Sequence, residues 1–427
     1  MSSNSNTYET ILNLDPYIKM CDSDENLTLY SYSNLTDEQK QEEKYIKHEE
    51  FINNTRGVVF DKDKNLIFQS FNKPDEISVA DDSSLDTLIS YIEKEKGGLG
   101  NCKIYDSHEG ALVRMFFYEN KWYICTHRKL NAFKSKWSSP ESYGTSFKKA
   151  LIYQSENNES LKNMLSEFDN ESTLDCFYNL LDPSKQYVFL VKNTSFNRIV
   201  CDPPENPMMY HVGTFKDGIL IEDEINDIGI YTLETRCLDT MDVIKDYVNN
   251  INYKDITGLI LFLPGNIQVK IHNKDYLEMY KVRGNEPSIK FRYLQVRNDR
   301  RLCLALKNLY PAYIEDFDAY EMYIRELCRN IHDSYMKRFV YKEQLTVPNV
   351  EYKIMRIAHS WYHEDKINRK VTKQIVFEII NDQNASIVNQ LIKLYKQQLK
   401  TDNNERQNNY KDSKSEIKSD DGPGLLK

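Results

Sequence analysis

The feature that most restricts the fold of this chain is a change of texture near residue 305. Between Phe51 and about Tyr293 the sequence is a series of short β-branched and aromatic runs, at 57–60, 66–68, 111–117, 122–125, 187–191, 258–263 and 267–271. Runs of that length and composition predict strands. Tyr118–Lys121 and Pro264–Asn266 are turn-forming connections of hairpin length between adjacent runs, and residues 140–181 predict helix. Regular alternation of strand and helix is missing, so the expected class is α+β with antiparallel pairing. After about Lys307 no convincing strand remains. Ile314–Tyr341, Val350–Glu364 and Val371–Leu399 carry apolar residues at three-and-four spacing, the last with a stripe through Ile387, Leu391 and Leu394 or Tyr395.

Charge and cysteine usage exclude several classes. The balance of 56 Lys+Arg against 65 Asp+Glu rules out a basic nucleic-acid coat, so any polyanion site must be local. Residues 121–150 hold seven Lys or Arg (Lys121, Arg128, Lys129, Lys134, Lys136, Lys148, Lys149) against the single acid Glu141, with six aromatic residues interleaved. Residues 268–301 hold nine basic groups against four acids. Basic groups neutralise phosphates while aromatic faces accept unstacked bases, so the first stretch is a candidate single-stranded RNA surface through Arg128, Lys129, Lys134 and Lys136. A solvated basic face over aromatic core residues is the alternative. The eight Cys never form C-x-x-C, which argues against a zinc ribbon or disulfide framework and suits reduced thiols in the cytosol. With 14 Gly, the chain has neither a Walker A run nor G-x-G-x-x-G. No apolar leader or run of about 18 apolar residues predicts secretion or a membrane span.

Read in order, the β-rich region gives TRGVVFD (55–61), YDSHEGALVR (105–114), KWYICTHR (121–128), YVFLV (187–191), NRIV (197–200), TGLIL (257–261) and QVKIH (268–272). This series resembles the RNA ligases of the phage T4 RNA ligase 1 type, in the covalent nucleotidyltransferase superfamily, over roughly residues 50–295. The resemblance implies a nucleotidyltransferase-like, ATP-grasp-like antiparallel domain followed here by an all-helical C-terminal domain. It also implies ATP with Mg2+ as cofactors, and single-stranded RNA or RNA ends as partners. In that family the lysine of a Lys-x-Asp-Gly motif attacks the α-phosphate of ATP, which requires a neutral amine.

The matching positions depart from that pattern. Aligning Glu109-Gly110 with the family's Asp-Gly places Ser107 where the lysine belongs, and serine cannot form the phosphoramidate. Lys103, on the same strand face, lies roughly 13 Å away at the rise of an extended chain. Family carboxylates are replaced by Leu190 and Thr257, and of a late lysine pair Lys270 remains, with His272 in the second place. Asp255, two residues before Thr257, offers a substitute carboxylate. The residues that persist, Arg56, Gly57, Glu109, Gly110, Arg198 and Lys270, are suited to holding a nucleotide or an RNA end, with Ser107 among them. The expectation is a ligase-like binding protein with impaired or lost chemistry. The alternatives are an active ATP-dependent RNA ligase using Lys103, and a structural protein on the same fold. His108 and His127 are expected to bind or pack. His359 and His363, at i and i+4, lack the glutamate of a zincin motif and read as packing residues; no metal ligand is expected. The expected domains are an extension at 1–49, the ligase-like domain at 50–295, the helical domain at 305–400 and a disordered tail at 401–427.

Overall fold

Thirteen strands build three sheets in the computed structural model, which describes residues 2–168, 172–192, 198–221 and 228–417. In chain order they are β1 (Ile18–Ser23), β2 (Leu27–Tyr32), β3 (Arg56–Asp61), β4 (Leu66–Phe68), β5 (Asp75–Ser78), β6 (Lys103–Ser107), β7 (Ala111–Tyr118), β8 (Lys121–Cys125), β9 (Gln186–Lys192), β10 (Met208–Lys216), β11 (Ile219–Leu220), β12 (Gly258–Leu263) and β13 (Ile267–His272). The first sheet has the order β1-β2-β3-β4, the second β11-β10-β9-β7-β8 and the third β5-β13-β12-β6. All pairings are antiparallel except β13 with β5. The expected α+β class holds.

Both expected hairpins are present. Glu119 and Asn120 take φ of 48° and 61°, the left-handed pair that matches the twist of a two-residue hairpin, and join β7 to β8. Pro264–Asn266 forms a three-residue turn between β12 and β13, with Gly265 and Asn266 at φ of 93° and 61°.

The chain divides into two units, 1–281 and 282–427. Residues 1–49 are not a separate extension, because β1 and β2 pair with each other and β2 with β3, so they complete the first sheet. The division also falls earlier than 295–305. Helix Ile289–Val296 packs into the helical unit, with Tyr293 stacked on Phe317 at 4.4 Å and Lys290 bonded to Asp316 at 2.6 Å.

That unit contains Arg300–Leu309, Ile314–Tyr335, Asn349–Glu364, Lys373–Asn381 and Ala385–Ile417 as its further helices. The break at 382–384 divides the expected 371–399 helix. Its buried stripe runs through Val388, Leu391 and Ile392. The last helix continues past Lys400, where a disordered tail was expected, as far as Ile417; residues 418–427 lie outside the described residues. Among the described residues no helix is long and apolar enough to cross a membrane.

Alternation along the third sheet separates its two faces. Ile104, Leu259, Leu261, Leu263, Val269 and Ile271 form a core with helices Asp82–Glu95 and Met241–Asn250. The opposite face carries Lys103, Tyr105, Ser107, Phe262, Gln268, Lys270 and His272. On the second sheet, Tyr187, Phe189 and Val191 turn toward helices Tyr143–Asn157 and Thr173–Leu180, leaving Val188, Leu190 and Lys192 on the other side. Phe71 joins the two inner faces, with its ring 4.8 Å from Phe215 and 5.5 Å from Phe262. The polar residues of these two inner faces, beside that apolar contact, line the candidate cleft.

Candidate phosphate-binding cleft

Two registers across the third sheet position the polar side chains of the cleft. Tyr105 and Lys270 both face Ile260, and Lys270 pairs with Glu76 on β5. Ser107 and His272 both face Gly258, and His272 pairs with Ser78. Gly258 has no side chain to separate them, and its own backbone sets that identity: at φ 148° a Cβ would stand 2.0 Å from the carbonyl oxygen of Ile271. Lys103 shares the face of Ser107, as expected, but sits at the far end of β6 opposite Phe262.

Lys270 is the most informative of these groups. Its side chain is 27% exposed, and Glu76, 58% exposed, approaches its Nζ only to 4.0 Å. Burial holds its pKa below the ordinary lysine value, Glu76 partly restores it and Arg56 adds to the depression. His272 is held to about 4 by burial and by Lys270, so it is neutral at pH 7. Its ring stacks on Tyr276 at 5.4 Å while its buried Nδ1 has no hydrogen-bond partner among the described residues. Gln268 Nε2 is likewise buried and unpartnered. Leaving such groups unsatisfied costs free energy, and their convergence on one face with an ill-paired lysine makes this face the candidate site.

Other family positions are occupied by structural bonds. Glu109 accepts from the backbone N–H groups of Ile199 (3.1 Å) and Val200 (2.7 Å) and from the Tyr276 hydroxyl, and burial raises its pKa despite those donors. It therefore anchors the 199–201 segment. Gly110 is tight against β9: a Cβ would meet Leu190 Cδ1 and the Val191 carbonyl oxygen at 2.8 Å each. Arg198 donates to the carbonyls of Cys201 (3.1 Å) and Val200 (3.2 Å) and pairs with Asp202 at 2.7 Å. Asn197, which begins the NRIV run, lies outside the described residues. Asp255 stands in a turn before β12, where Asn252 donates to it at 3.0 Å.

Arg56 lies at the edge of the cleft. It donates to the Asn72 carbonyl at 3.1 Å and is near enough to Lys270 and Glu76 to act on both charges. Behind it Arg114, 2% exposed, donates to the carbonyls of Arg56 (2.9 Å) and Gly57 (3.1 Å) and lies over the Phe68 ring at 5.0 Å. Gly57, at φ 69°, makes room for it, since a Cβ there would stand 2.1 Å from Arg114 Nη2. His127 is held near 3 by burial and by Arg56, Arg114 and Arg128.

Sequence reasoning missed Glu76, Arg114 and Lys192. Lys192 ends β9 on the cleft face, 3.5 Å from His108 Nδ1, and burial lowers its pKa. His108 in turn is held to about 4 by burial and Lys192, and its ring lies parallel to Tyr210 at 5.8 Å. A polar residue in phase with Val188 and Leu190 was the available signal for Lys192. No local signal exists for Glu76, which reaches the site through a parallel pairing of residues nearly two hundred positions apart.

The basic stretch at 121–150 is not one surface. Lys129 pairs with Asp22 at 3.2 Å, and Arg128 lies over the Tyr32 ring at 5.5 Å, so both tie their loop to the first sheet. Lys149 pairs with Glu141. Lys134 and Lys136 are exposed. Among the described residues no group of three or more His, Cys, Asp or Glu stands together as a metal cage.

No family model matches the chain. It is similar to an immediate-early protein ICP-46 homolog of Invertebrate iridescent virus 6, 29% identical over 360 residues that cover 79% of this chain and 76% of that protein. The homolog of Invertebrate iridescent virus 3 is 28% identical over 359 residues, covering 82% and 74%. Solved structures similar to the chain are ATP-dependent DNA and RNA ligases, the superfamily that the motif order resembles. A protein of Aquifex aeolicus assigned as an ATP-dependent DNA ligase is 12% identical, with 76% of this chain and 81% of that one covered at a TM-score of 0.40. An archaeal ATP-dependent RNA ligase is 8% identical, covering 73% and 70% at 0.39.

Proposed function

We propose that the chain is a ligase-like protein that binds the phosphate of a nucleotide or of a single-stranded RNA end in the cleft between its second and third sheets, with the covalent chemistry of β6 lost. The observation that carries this reading is Lys270, half-hidden on the cleft face with a distant carboxylate, beside the unpartnered Nε2 of Gln268 and Nδ1 of His272. An anion there would offset the desolvation of the amine. Arg56 would meet a second phosphate oxygen, and the aromatic walls at Tyr105, Phe262 and Tyr210 would border a base. ATP with Mg2+ is the ligand this set fits best, and Glu76 would face the metal ion.

Ser107 supplies no amine, and Lys103 stands at the wrong end of its strand. Incubation with Mg2+ and ATP labelled on the α-phosphate, followed by native and denaturing separation, tests both statements. The expected result is label retained natively and released on denaturation, unchanged in Lys103→Ala. Covalent label lost in Lys103→Ala would establish the active-ligase alternative instead, and no retention of nucleotide at any concentration would remove the binding reading.

A further inference from the structure

At one end of the helical unit two histidines and two lysines gather around a helix terminus with unusual geometry. Helix Ile314–Tyr335 closes in a π-helical turn, Met336–Val340, a form that recurs at functional sites. Lys342 follows at φ 62°, a left-handed conformation that costs a lysine more than a glycine. The turn presents Tyr341, 63% exposed, and Lys342 to solvent.

Helix Asn349–Glu364 supplies the histidines. His359 bonds through Nδ1 to the Tyr335 hydroxyl at 3.2 Å and through Nε2 to His363 Nε2 at 2.9 Å, and its ring stacks on Phe339 at 4.2 Å. One N–H is thus shared between the two imidazoles. Burial, His363, Lys342 and Lys366 all hold the His359 pKa down, which places the two lysines within electrostatic reach of the ring. Tyr362 also borders it. The acids nearby are engaged or displaced: Glu364 pairs with Arg369, Asp365 accepts from Asn368, and Glu343 is exposed beside Lys342. Two converging imidazole nitrogens would ordinarily suggest a transition metal. Lysines facing the pair disfavour a cation and favour an anion.

We propose that this end of the helical unit binds the backbone of a single-stranded nucleic acid, with Lys342, Lys366, His359 and His363 on a phosphate and the Tyr341 ring under a base. A phosphate beside the imidazole pair favours proton uptake by it, so affinity rises as pH falls. Exposed aromatic and basic groups in alternation suit a strand whose bases are unpaired. This site belongs to the helical unit, the cleft to the β-rich one.

The test is the binding of a fluorescent oligouridylate, and of its deoxy counterpart, to the full-length chain between about pH 8 and about pH 6. The parent is expected to bind the RNA more tightly at the lower pH. Replacing Lys342 and Lys366 together by Gln should weaken binding at least about five-fold and reduce the logarithmic salt slope by about 1.4, two contacts at roughly 0.7 each for a single strand. His363→Gln should remove the pH response, and Tyr341→Leu should weaken binding about five-fold or more through lost stacking. Lys342, Lys366 and His363 are exposed, so melting curves should match the parent. Equal effects on both oligomers assign the site to single strands in general, and a loss confined to RNA assigns it to RNA. Failure of the parent to bind either oligomer at low salt, an unchanged affinity and slope in the lysine pair, or displacement of the oligomer by an acidic peptide at equal strength would overturn the proposal. ATP retention by the same variants, expected at parental level, reports on the cleft separately.

Discussion

Two partly shielded cations, one in each unit, are treated in opposite ways. Arg297 in the helical unit meets Glu321 through two nitrogens, at 2.7 and 2.8 Å, and Asn381 through the third at 2.5 Å, while Tyr293 donates to the same carboxylate at 3.0 Å. Each charge there has a partner. Lys270 in the β-rich unit has a carboxylate at 4.0 Å that is itself more than half exposed, and beside it the buried Gln268 Nε2 and His272 Nδ1 have no hydrogen-bond partner among the described residues. The first arrangement holds helices together; the second leaves a cation that, in the proposed reading, a bound anion would pair. Satisfied buried charge is a mark of structure, and unsatisfied buried charge, gathered on one face of a cleft, is a mark of binding.

Substitutions on each side sharpen that contrast. The largest loss is expected from Glu321→Ala, which strands the Arg297 guanidinium and should lower the stability of the helical unit by about 3 kcal/mol in chemical denaturation. Gly57→Ala should cost the β-rich unit a similar amount, about 3 kcal/mol, from left-handed strain and the collision with Arg114, and should abolish nucleotide retention by displacing Arg56.

A smaller effect is expected from acid. His127, His108 and His272 are held near 3, 4 and 4 in the folded chain, below an ordinary value of 6.5. The unfolded chain therefore takes up protons first as pH falls, and stability, full above about 6.5, should decline progressively toward about 4. His127→Asn should flatten that decline in denaturation midpoints measured across the window. If the decline is equal in His127→Asn and the parent, the buried cationic edge is not its source. Smallest of all, Lys134→Glu with Lys136→Glu should leave the melting temperature within experimental scatter, because both side chains are exposed; a clear drop would show that they carry packing.

Strands that carry their own signal were legible. The runs at 258–263 and 267–271 coincide with β12 and β13 almost residue for residue, since local turn chemistry and β-branched composition both point there. β1 and β2 were not, because Lys19, Asp22 and Ser23 interrupt the first and pairing with β3 supplies what composition does not. The cleft was legible only in part. Lys270 and Arg56 followed from motif order, whereas the structural duties of Glu109 and Arg198 depend on backbone groups about ninety residues away or on a local loop turned inward. The pairing of Lys129 with Asp22 likewise shows how a run of charge in sequence is divided once distant acids arrive.

The most direct measurement of the central claim is Lys270→Met, read for ATP affinity and melting temperature in the same preparation. A phosphate site predicts an affinity loss of at least about ten-fold, equivalent to roughly 1.4 kcal/mol, with a melting temperature unchanged or raised because a poorly compensated amine has left the interior. A lowered melting temperature with unaltered ATP affinity would contradict it, and would make Lys270 and Glu76 a structural pair like Arg297 and Glu321.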